Sequence, residues 1–258
     1  MAAPLPRSSL TLMAASVADD IGFVSLADLA RALPAGGDFR LIGGHMVTLH
    51  THRWGLGAEL YRETADSDLG ATPVMLADGE LVTRLEGLGY RQVAGDRWAR
   101  SLTDVAAAPG AATEAAIDLL VPAYQSRARH NVKVGERITT IEVRGLSDAL
   151  NRPPVDIDVS LIRLGGQVLD ARLPIPDEAT ALGLKAFAWA ERRADRDAVD
   201  LWRCLEVARV AGAVPTTSPP AASWKSHPSS PKPSGGPTAP PSTLSSATGT
   251  SRDPLQPA

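Results

Sequence analysis

The fold is decided by Phe39-Arg-Leu-Ile-Gly-Gly-His45 and, after a gap, by Asp66-Ser-Asp-Leu69. The apolar run from Phe39 to Ile42 predicts a short buried strand, and the two glycines that follow it predict a tight turn into a helix over His45 to His52. The two aspartates are two positions apart on a second predicted strand, so both carboxylates point to the same face. This order predicts an α/β (α+β) fold in which a sheet carries paired acids beside a glycine turn.

Further elements are predicted on both sides of this stretch. A helix is expected to begin at Ser25, its N-cap residue, and to run to Leu33, with Asp28 completing a capping box. The other expected elements are a helix from Pro73 to about Gly87, a hairpin turning at Gly95-Asp96, strands at Ala116–Val121, Ile138–Val143 and Val155–Ile162, and one or two helices from Asp177 to Val210, with any break near Ala194.

The composition excludes several classes of protein. In 258 residues, 26 Lys and Arg nearly balance 29 Asp and Glu, which argues against binding nucleic acid through bulk positive charge. A single cysteine, Cys204, excludes an internal disulfide or a cysteine zinc cluster and fits a reducing compartment. No run reaches the roughly 18 apolar residues of a membrane helix. We therefore expect a cytoplasmic protein without membrane contact, whose residues 1–20 form a ragged start and not an export signal.

The chain is expected to divide into a folded part and a tail. Residues 18–175 are predicted to form the catalytic domain, and residues 176–211 a helical C-terminal part of the same unit. Eleven of the 21 prolines follow Val214 in a segment rich in Ser, Thr and Gly. Such a segment buries too little apolar surface to offset the entropy of ordering it, so residues 212–258 are predicted to be disordered.

A third acid joins the paired aspartates if two predicted strands are neighbours. Asp118 interrupts the apolar run Ile117-Asp-Leu-Leu-Val121, where an unpaired carboxylate is costly to bury. Three converging carboxylates provide the oxygen ligands that Mg²⁺ or Mn²⁺ prefers, and such a centre can neutralise a triphosphate. The turn at Gly43-Gly44 lets the backbone approach a ligand, and the N–H groups at a helix start favour phosphate.

This order of motifs resembles the nucleotidyltransferase superfamily, and more closely the nucleotidyltransferase toxins of bacterial abortive-infection systems. The likeness spans roughly Phe39 to Val207. His45 stands where many relatives carry a small residue, and Ser67 replaces the usual apolar residue between the acids. The gap between the glycines and the acids is also longer than in compact members. The matching segments are Leu41-Ile-Gly-Gly-His45, Arg62-Glu-Thr-Ala-Asp-Ser-Asp68, Ile117-Asp-Leu119, Lys185-Ala-Phe-Ala188 and Arg196-Asp-Ala-Val-Asp200.

The resemblance implies a mixed sheet flanked by helices and Mg²⁺-dependent transfer of a nucleoside monophosphate from an NTP to tRNA, a protein or a small molecule. It also implies a toxin with a cognate antitoxin. The implied catalytic residues are Asp66, Asp68, Asp118 and Lys185, with the three aspartates holding the metal and Asp118 also a candidate base. The implied nucleotide-binding residues are Gly43, Gly44, Arg62, Thr64 and Lys185, with Asp197 and Asp200 in support.

Other interpretations stay open at this point. A nucleotidyltransferase-fold protein without activity could act as a binding or regulatory module, and a pair of carboxylates could hydrolyse a substrate without metal. A zinc site at His45, His50 and His52 is disfavoured because their spacing does not place three imidazoles on one helical face. The second Asp-x-Asp, Asp156-Ile-Asp158, has no Gly-Gly before it and fits a half-exposed strand.

Overall fold

The computed structural model describes residues 6–34, 37–105 and 113–213. The chain divides into two compact units, residues 1–216 and 217–258, and the second lies outside the described residues. The predicted disorder of residues 212–258 also falls outside them, apart from its first two positions. The described part is a mixed α/β structure with seven helices and two β-sheets. Within these ranges no helix has the length and apolarity needed to cross a membrane.

The elements alternate along the chain. In order, the strands are β1 (Ser9–Met13), β2 (Phe39–Ile42), β3 (Asp66–Ala71), β4 (Arg91–Ala94), β5 (Arg97–Ser101), β6 (Glu114–Pro122), β7 (Val132–Val134), β8 (Ile138–Val143), β9 (Val155–Ile162) and β10 (Val168–Ile175). The helices are α1 (Val17–Ala32), α2 (Gly43–Arg53), α3 (Pro73–Asp78), α4 (Glu80–Gly87), α5 (Leu146–Asn151), α6 (Glu178–Arg192) and α7 (Asp195–Val210).

The larger sheet contains seven strands and mixes parallel with antiparallel pairs. Its main order is β2-β3-β6-β5-β4, and β8 pairs with β6 and β7. Strands β3 and β6 run parallel, and this register places Asp68 opposite Asp118. Strand β2 is antiparallel to β3, so its last residue Ile42 also lies opposite Asp68. Strand β5 is antiparallel to β6, and their register places Arg97 opposite Asp118.

The hydrophobic core is built mainly from aliphatic side chains, as the low aromatic content requires. Helix α1 packs against β3 and β6 of the larger sheet and against β10 of the smaller one. Leu26 and Leu29 of this helix are fully buried, as are Leu69 and Ile117 of the two central strands. Burying each such side chain contributes about 1.5–3 kcal/mol, so these contacts fix the sheet that carries the acids.

The first helix begins well before its predicted start. Its N-cap is Ser16, whose hydroxyl accepts a hydrogen bond from the N–H of Asp19. Ser25 is buried inside the helix and donates its hydroxyl proton to the carbonyl of Gly22. The prediction of a capping box at Ser25 is therefore wrong. The helix begins at Val17 and is capped by Ser16, so Ser25 lies inside the helix, where there is no helix start to cap.

The ragged start expected for residues 1–20 is also wrong from Ser9 onwards. Strand β1 pairs in parallel with β9, in a three-stranded sheet of order β1-β9-β10. Along β1 the side chains alternate between exposed and buried, with Leu10 and Leu12 inside. That period of two was present in Ser-Leu-Thr-Leu-Met and is the signal of a half-buried strand.

The remaining differences concern where helices break. The predicted helix from Pro73 to Gly87 is two helices, because Gly79 adopts a φ of 79° and ends α3. Of the two possibilities for the C-terminal helical part, the structure has two helices, α6 and α7. Arg193 ends α6 in the left-handed region at a φ of 53°, directly before the expected break at Ala194.

Candidate functional site

Three aspartates meet on the central strands of the larger sheet. Strand β3 carries Asp66 and Asp68, and its parallel neighbour β6 carries Asp118 directly opposite Asp68. Between the paired acids, Ser67 is fully buried on the opposite face, where its hydroxyl lies 2.6 Å from that of Ser25. The alternation of a strand therefore places both acids of the Asp-x-Asp on one face, and the structure brings together all three acids that the sequence singled out.

A fourth charged side chain, Arg97, lies between two of these acids. Its Nη1 is 3.1 Å from Oδ2 of Asp118 and 3.5 Å from Oδ2 of Asp66. The guanidinium is 42% exposed, so it reaches the acids from the solvent side. The position between the carboxylates is thus suited to a cation.

Arg97 is not among the site residues predicted from the sequence. The sequence places it directly after the hairpin turn at Gly95-Asp96, but only the pairing of β5 with β6 brings it to the acids.

Two of the three acids have raised pKa values, chiefly because they are buried. Burial and, after it, the adjacent Asp66 carboxylate together raise the pKa of Asp68 to about 6, against the opposing charge of Lys185. Burial also raises the pKa of Asp118 to about 7, helped by Asp68 and opposed by Arg97. Near neutral pH these two groups still hold protons for part of the time. A bound divalent cation would replace those protons and lower both pKa values.

The two glycines permit the close approach of β3 and α2. Gly43 has a φ of 72°, and a Cβ there would overlap Oδ2 of Asp68 and lie 2.6 Å from its Cγ. A Cβ on Gly44 would lie 2.6 Å from Nη2 of Arg62 and 2.7 Å from Oγ1 of Thr64. Glycine is therefore required at Gly43, whereas a side chain at Gly44 would force Arg62 or Thr64 to shift. The start of α2 lies against one acid and the two predicted nucleotide-binding side chains.

A buried cluster of positive charge is centred on Asp200 of α7. This carboxylate accepts hydrogen bonds from Nε of Arg62 at 2.9 Å, Nζ of Lys185 at 2.8 Å and Nη1 of Arg203 at 3.2 Å. Although burial opposes the shift, Lys185 and Arg62 hold the pKa of Asp200 below its usual range. Three cations share one carboxylate, so this side of the site carries a surplus of positive charge that suits an anionic ligand.

The second acid of α7 holds another cation. Asp197 is buried and accepts hydrogen bonds from Arg192 at 2.9 and 2.6 Å. The hydrogen bonds that Arg192 donates to Asp197 raise the pKa of Arg192 against burial, and the charge of Asp68 also raises it, so this guanidinium acts on the acid cluster. Asp197 and Asp200 thus bind cations, Arg192 and Lys185 respectively, whose charges act on Asp68.

The donor set fits a hard divalent cation. Within the described ranges, no three His, Cys, Asp or Glu side chains are arranged as a ready metal site. The three aspartates nevertheless offer only oxygen atoms, the donors that Mg²⁺ and Mn²⁺ prefer, and the Arg97 guanidinium already occupies a cationic position between two of them. Asp66, Asp68 and Asp118 could hold such an ion once Arg97 moves toward solvent.

The sequence offered two other candidate sites, the second Asp-x-Asp and the three histidines. Asp156 and Asp158 are exposed on β9 of the smaller sheet, and Asp156 is paired with Arg172 at 3.1 Å. Ring nitrogen Nε2 of His50 lies 2.9 Å from the carbonyl oxygen of Pro176, so this histidine is bound to the backbone near the start of α6. Asp156 and Asp158 therefore lie on a different sheet from the acid cluster. Of the three histidines, His45 lies close enough to Asp66 for that charge to act on the pKa of the ring, although burial acts on it more strongly.

Comparisons with known proteins did not assign the chain to a family. No protein-family model matches the chain, and no curated protein matches it. Three features of the site therefore indicate its chemistry: a cluster of three acids, a glycine turn against it, and buried cations beside it.

Proposed function

We propose that this protein is a Mg²⁺- or Mn²⁺-dependent nucleotidyltransferase, which transfers a nucleoside monophosphate from an NTP to an acceptor and releases pyrophosphate. The observation that carries the proposal is the register of β3 and β6, which brings Asp66, Asp68 and Asp118 to one face. The glycine turn lies directly against this face. The motifs that resemble the nucleotidyltransferases thus come from distant parts of the chain and meet at one place.

Each residue has a distinct role in this mechanism. Asp66 and Asp68 would hold the divalent cation, which would neutralise phosphate charge and orient the α-phosphorus. Asp118, which lies directly opposite Asp68, would complete the metal site or accept the proton of the acceptor hydroxyl. The acceptor oxygen then bonds to the α-phosphorus, and the bond from that phosphorus to the bridging oxygen of pyrophosphate breaks.

The positive side of the site would hold the triphosphate. Lys185 and Arg62 share Asp200 with a third cation, so their charge is only partly balanced. The N–H groups at the start of α2, beginning at Gly43 and Gly44, point out of a helix terminus where phosphate binds favourably. The hydroxyl of Thr64, which lies against Gly44, is a further donor for a phosphate oxygen.

The acceptor and the biological setting follow from the resemblance. We infer an acceptor hydroxyl on a tRNA end, a protein side chain or a small molecule, and a cytoplasmic toxin that a separately encoded antitoxin restrains. Expression of the wild-type protein in a bacterial host should then slow growth, and expression of the Asp66→Ala/Asp68→Ala variant should not. Equal growth with both proteins would contradict the toxin role.

The enzymatic activity is tested by label transfer. The protein is incubated with each α-³²P-labelled NTP, Mg²⁺ and total RNA or cell lysate. We expect transfer by the wild type, none by Asp66→Ala/Asp68→Ala, and full transfer by the control Asp156→Ala/Asp158→Ala, which removes the exposed Asp-x-Asp of β9. Absence of transfer by the wild type with every NTP would refute the enzymatic role, and transfer that survives chelation would favour metal-free chemistry at the carboxylates.

A second candidate function is a catalytically silent protein of the same fold that binds nucleotide for regulation. The favouring observation is Arg97, which bridges Asp66 and Asp118 and so competes with a metal ion for them. This alternative predicts saturable NTP binding in equilibrium dialysis without any label transfer. If Arg97→Gln transferred label and the wild type did not, the bridging arginine would be what prevents catalysis in the wild type.

A further inference from the structure

Helix α7 presents an apolar stripe to solvent. Val199, Trp202 and Leu205 are 43%, 51% and 44% exposed, and their spacing of three residues places them on one face of the helix. One exposed apolar side chain alone is ordinary on a protein surface, but a contiguous group marks a contact surface. Tryptophan is also among the residues most enriched at the centres of protein interfaces.

The stripe lies opposite the face of α7 that packs on the protein. Asp200, Cys204 and Val207 are buried on that inner face, which contacts α6 and α2. At 3.6 residues per turn, Trp202 points directly away from it. Asp200, which binds the cations beside the acid cluster, is on the inner face, so the stripe is separate from the proposed catalytic site.

Charged residues at the two ends of the stripe give a pattern that is symmetric about Trp202. Asp195 is the first residue of α7, Arg209 is the last but one, and both are exposed. From Asp195 the stripe proceeds in steps of four, three, three and four residues through Val199, Trp202 and Leu205 to Arg209. The spacing is the same in both directions, with an acid at one end and a base at the other.

This pattern is self-complementary when two copies of the helix lie antiparallel. A two-fold axis at Trp202 pairs the two tryptophans and brings Val199 of one protomer level with Leu205 of its partner. The same axis brings Asp195 level with Arg209 at both ends of the contact, so opposite charges meet twice. A parallel arrangement would place Asp195 beside Asp195 and Arg209 beside Arg209, which like-charge repulsion disfavours.

Both end charges are accessible for such contacts. Arg209 binds Glu206 of its own helix at 2.9 Å, but its side chain is 59% exposed and its five N–H donors can bind a second carboxylate. Asp195 is exposed at the start of the helix. The formal net charge of the whole chain is only −3, so two copies repel each other weakly.

We propose that this protein forms a symmetric homodimer in which α7 packs antiparallel on α7 of a second copy, with Trp202 at the two-fold axis. A helix of 16 residues is about 24 Å long, so the contact falls at the small end of specific interfaces, below roughly 1,200 Å² of total buried surface. Association in the micromolar range is therefore expected. The dimer does not depend on the proposed function.

The test measures self-association of the full-length protein by sedimentation velocity and light scattering at about 1–100 μM. We expect a dimer that dissociates on dilution. Trp202→Glu should be monomeric throughout, because it removes the central aromatic contact and brings two like charges together at the axis. The control Tyr124→Glu replaces an aromatic residue that is 71% exposed in the segment after β6, and it should associate as the wild type does.

Reversing the end charges separates the antiparallel contact from non-specific association. Asp195→Lys and Arg209→Glu each bring like charges together twice, and each should weaken association about tenfold. The double variant Asp195→Lys/Arg209→Glu restores opposite charges and should associate as the wild type does. The helix dipole disfavours both substitutions, so a loss caused only by a less stable α7 would be greater in the double variant.

A wild type that stays monomeric at about 100 μM overturns the proposal. Equal association of Trp202→Glu and Tyr124→Glu also overturns it, and a double charge variant that associates more weakly than either single variant overturns the antiparallel arrangement. The changed residues neither belong to the acid cluster nor bind the cations beside it. Failure of the dimer therefore leaves the label-transfer test unaffected, and absence of label transfer leaves the dimer standing.

Discussion

Replacing Gly43 by alanine tests whether the glycine turn and the acid cluster depend on each other. Gly43 has a φ of 72°, a conformation that alanine adopts at a cost of about 1–2 kcal/mol. The new Cβ would also overlap Oδ2 of Asp68 and lie 2.6 Å from its Cγ, so β3 or α2 must move. Overpacking of this kind typically costs about 1–3 kcal/mol. The total expected loss in the free energy of unfolding is therefore about 2–5 kcal/mol.

Gly55 provides a matched control. It has nearly the same conformation, with a φ of 76°, but none of the described atoms lies within 4 Å of a Cβ built there. Gly55→Ala should therefore cost only the conformational part, about 1–2 kcal/mol. The difference between the two variants isolates the clash with Asp68.

The assay is thermal and urea unfolding of both variants and the wild type. At about 2–4 °C per kcal/mol for a chain of this size, Gly55→Ala should lower Tm by about 2–8 °C and Gly43→Ala by about 4–20 °C. Gly43→Ala should also lose label transfer, whereas Gly55→Ala should keep it. Equal losses of stability in the two variants would refute the inference that Asp68 lies directly against the turn.

Three further predictions concern the charged groups. The pKa of Asp68 is about 6 in the folded protein and 3.8 as a reference, so the wild type loses stability as the pH rises through 6. Relative to the wild type, Asp68→Asn should gain up to about 3 kcal/mol between pH 3 and pH 7, measured by urea unfolding, and a pH-independent difference would contradict this shift. Arg97→Gln removes a positive charge between Asp118 and Asp66 and should strengthen Mn²⁺ binding about tenfold in a competition titration; weaker binding would show that Arg97 assists the metal. Asp200→Asn removes the charged partner of two buried cations, Lys185 and Arg203, and of the partly exposed Arg62, and should lower the free energy of unfolding by about 3–5 kcal/mol, and a loss below 1 kcal/mol would show that solvent already stabilises those cations.

The sequence could predict those parts of the site that depend on local periodicity. The Asp-x-Asp on a strand places both acids on one face because strand side chains alternate, and the buried Ser67 between them confirms the alternation. The apolar run with a single acid at Asp118 indicated a buried strand, and the structure has β6 there. The mixed α/β class followed from the same local patterns.

The parts that were missed depend on contacts between distant segments. Arg97 reaches the site only because β5 pairs with β6, a register that no local pattern encodes. Lys185 was singled out through the resemblance, but its burial was not predicted, because it depends on the packing of α7, which supplies Asp200, against α6. Strand β1 could have been recognised from its alternation alone, and it was missed because its residues also imitate a weak leader segment.

The most direct test of the proposed metal centre is a titration with Mn²⁺, followed by the loss of the free-ion signal in electron paramagnetic resonance. At pH 8, above the pKa values of Asp68 and Asp118, both acids are ionised and available to the metal. We expect saturable binding by the wild type and by Asp156→Ala/Asp158→Ala, and none by Asp66→Ala/Asp68→Ala. Identical titration curves for the wild type and Asp66→Ala/Asp68→Ala would contradict the metal centre, and with it the proposed transfer chemistry.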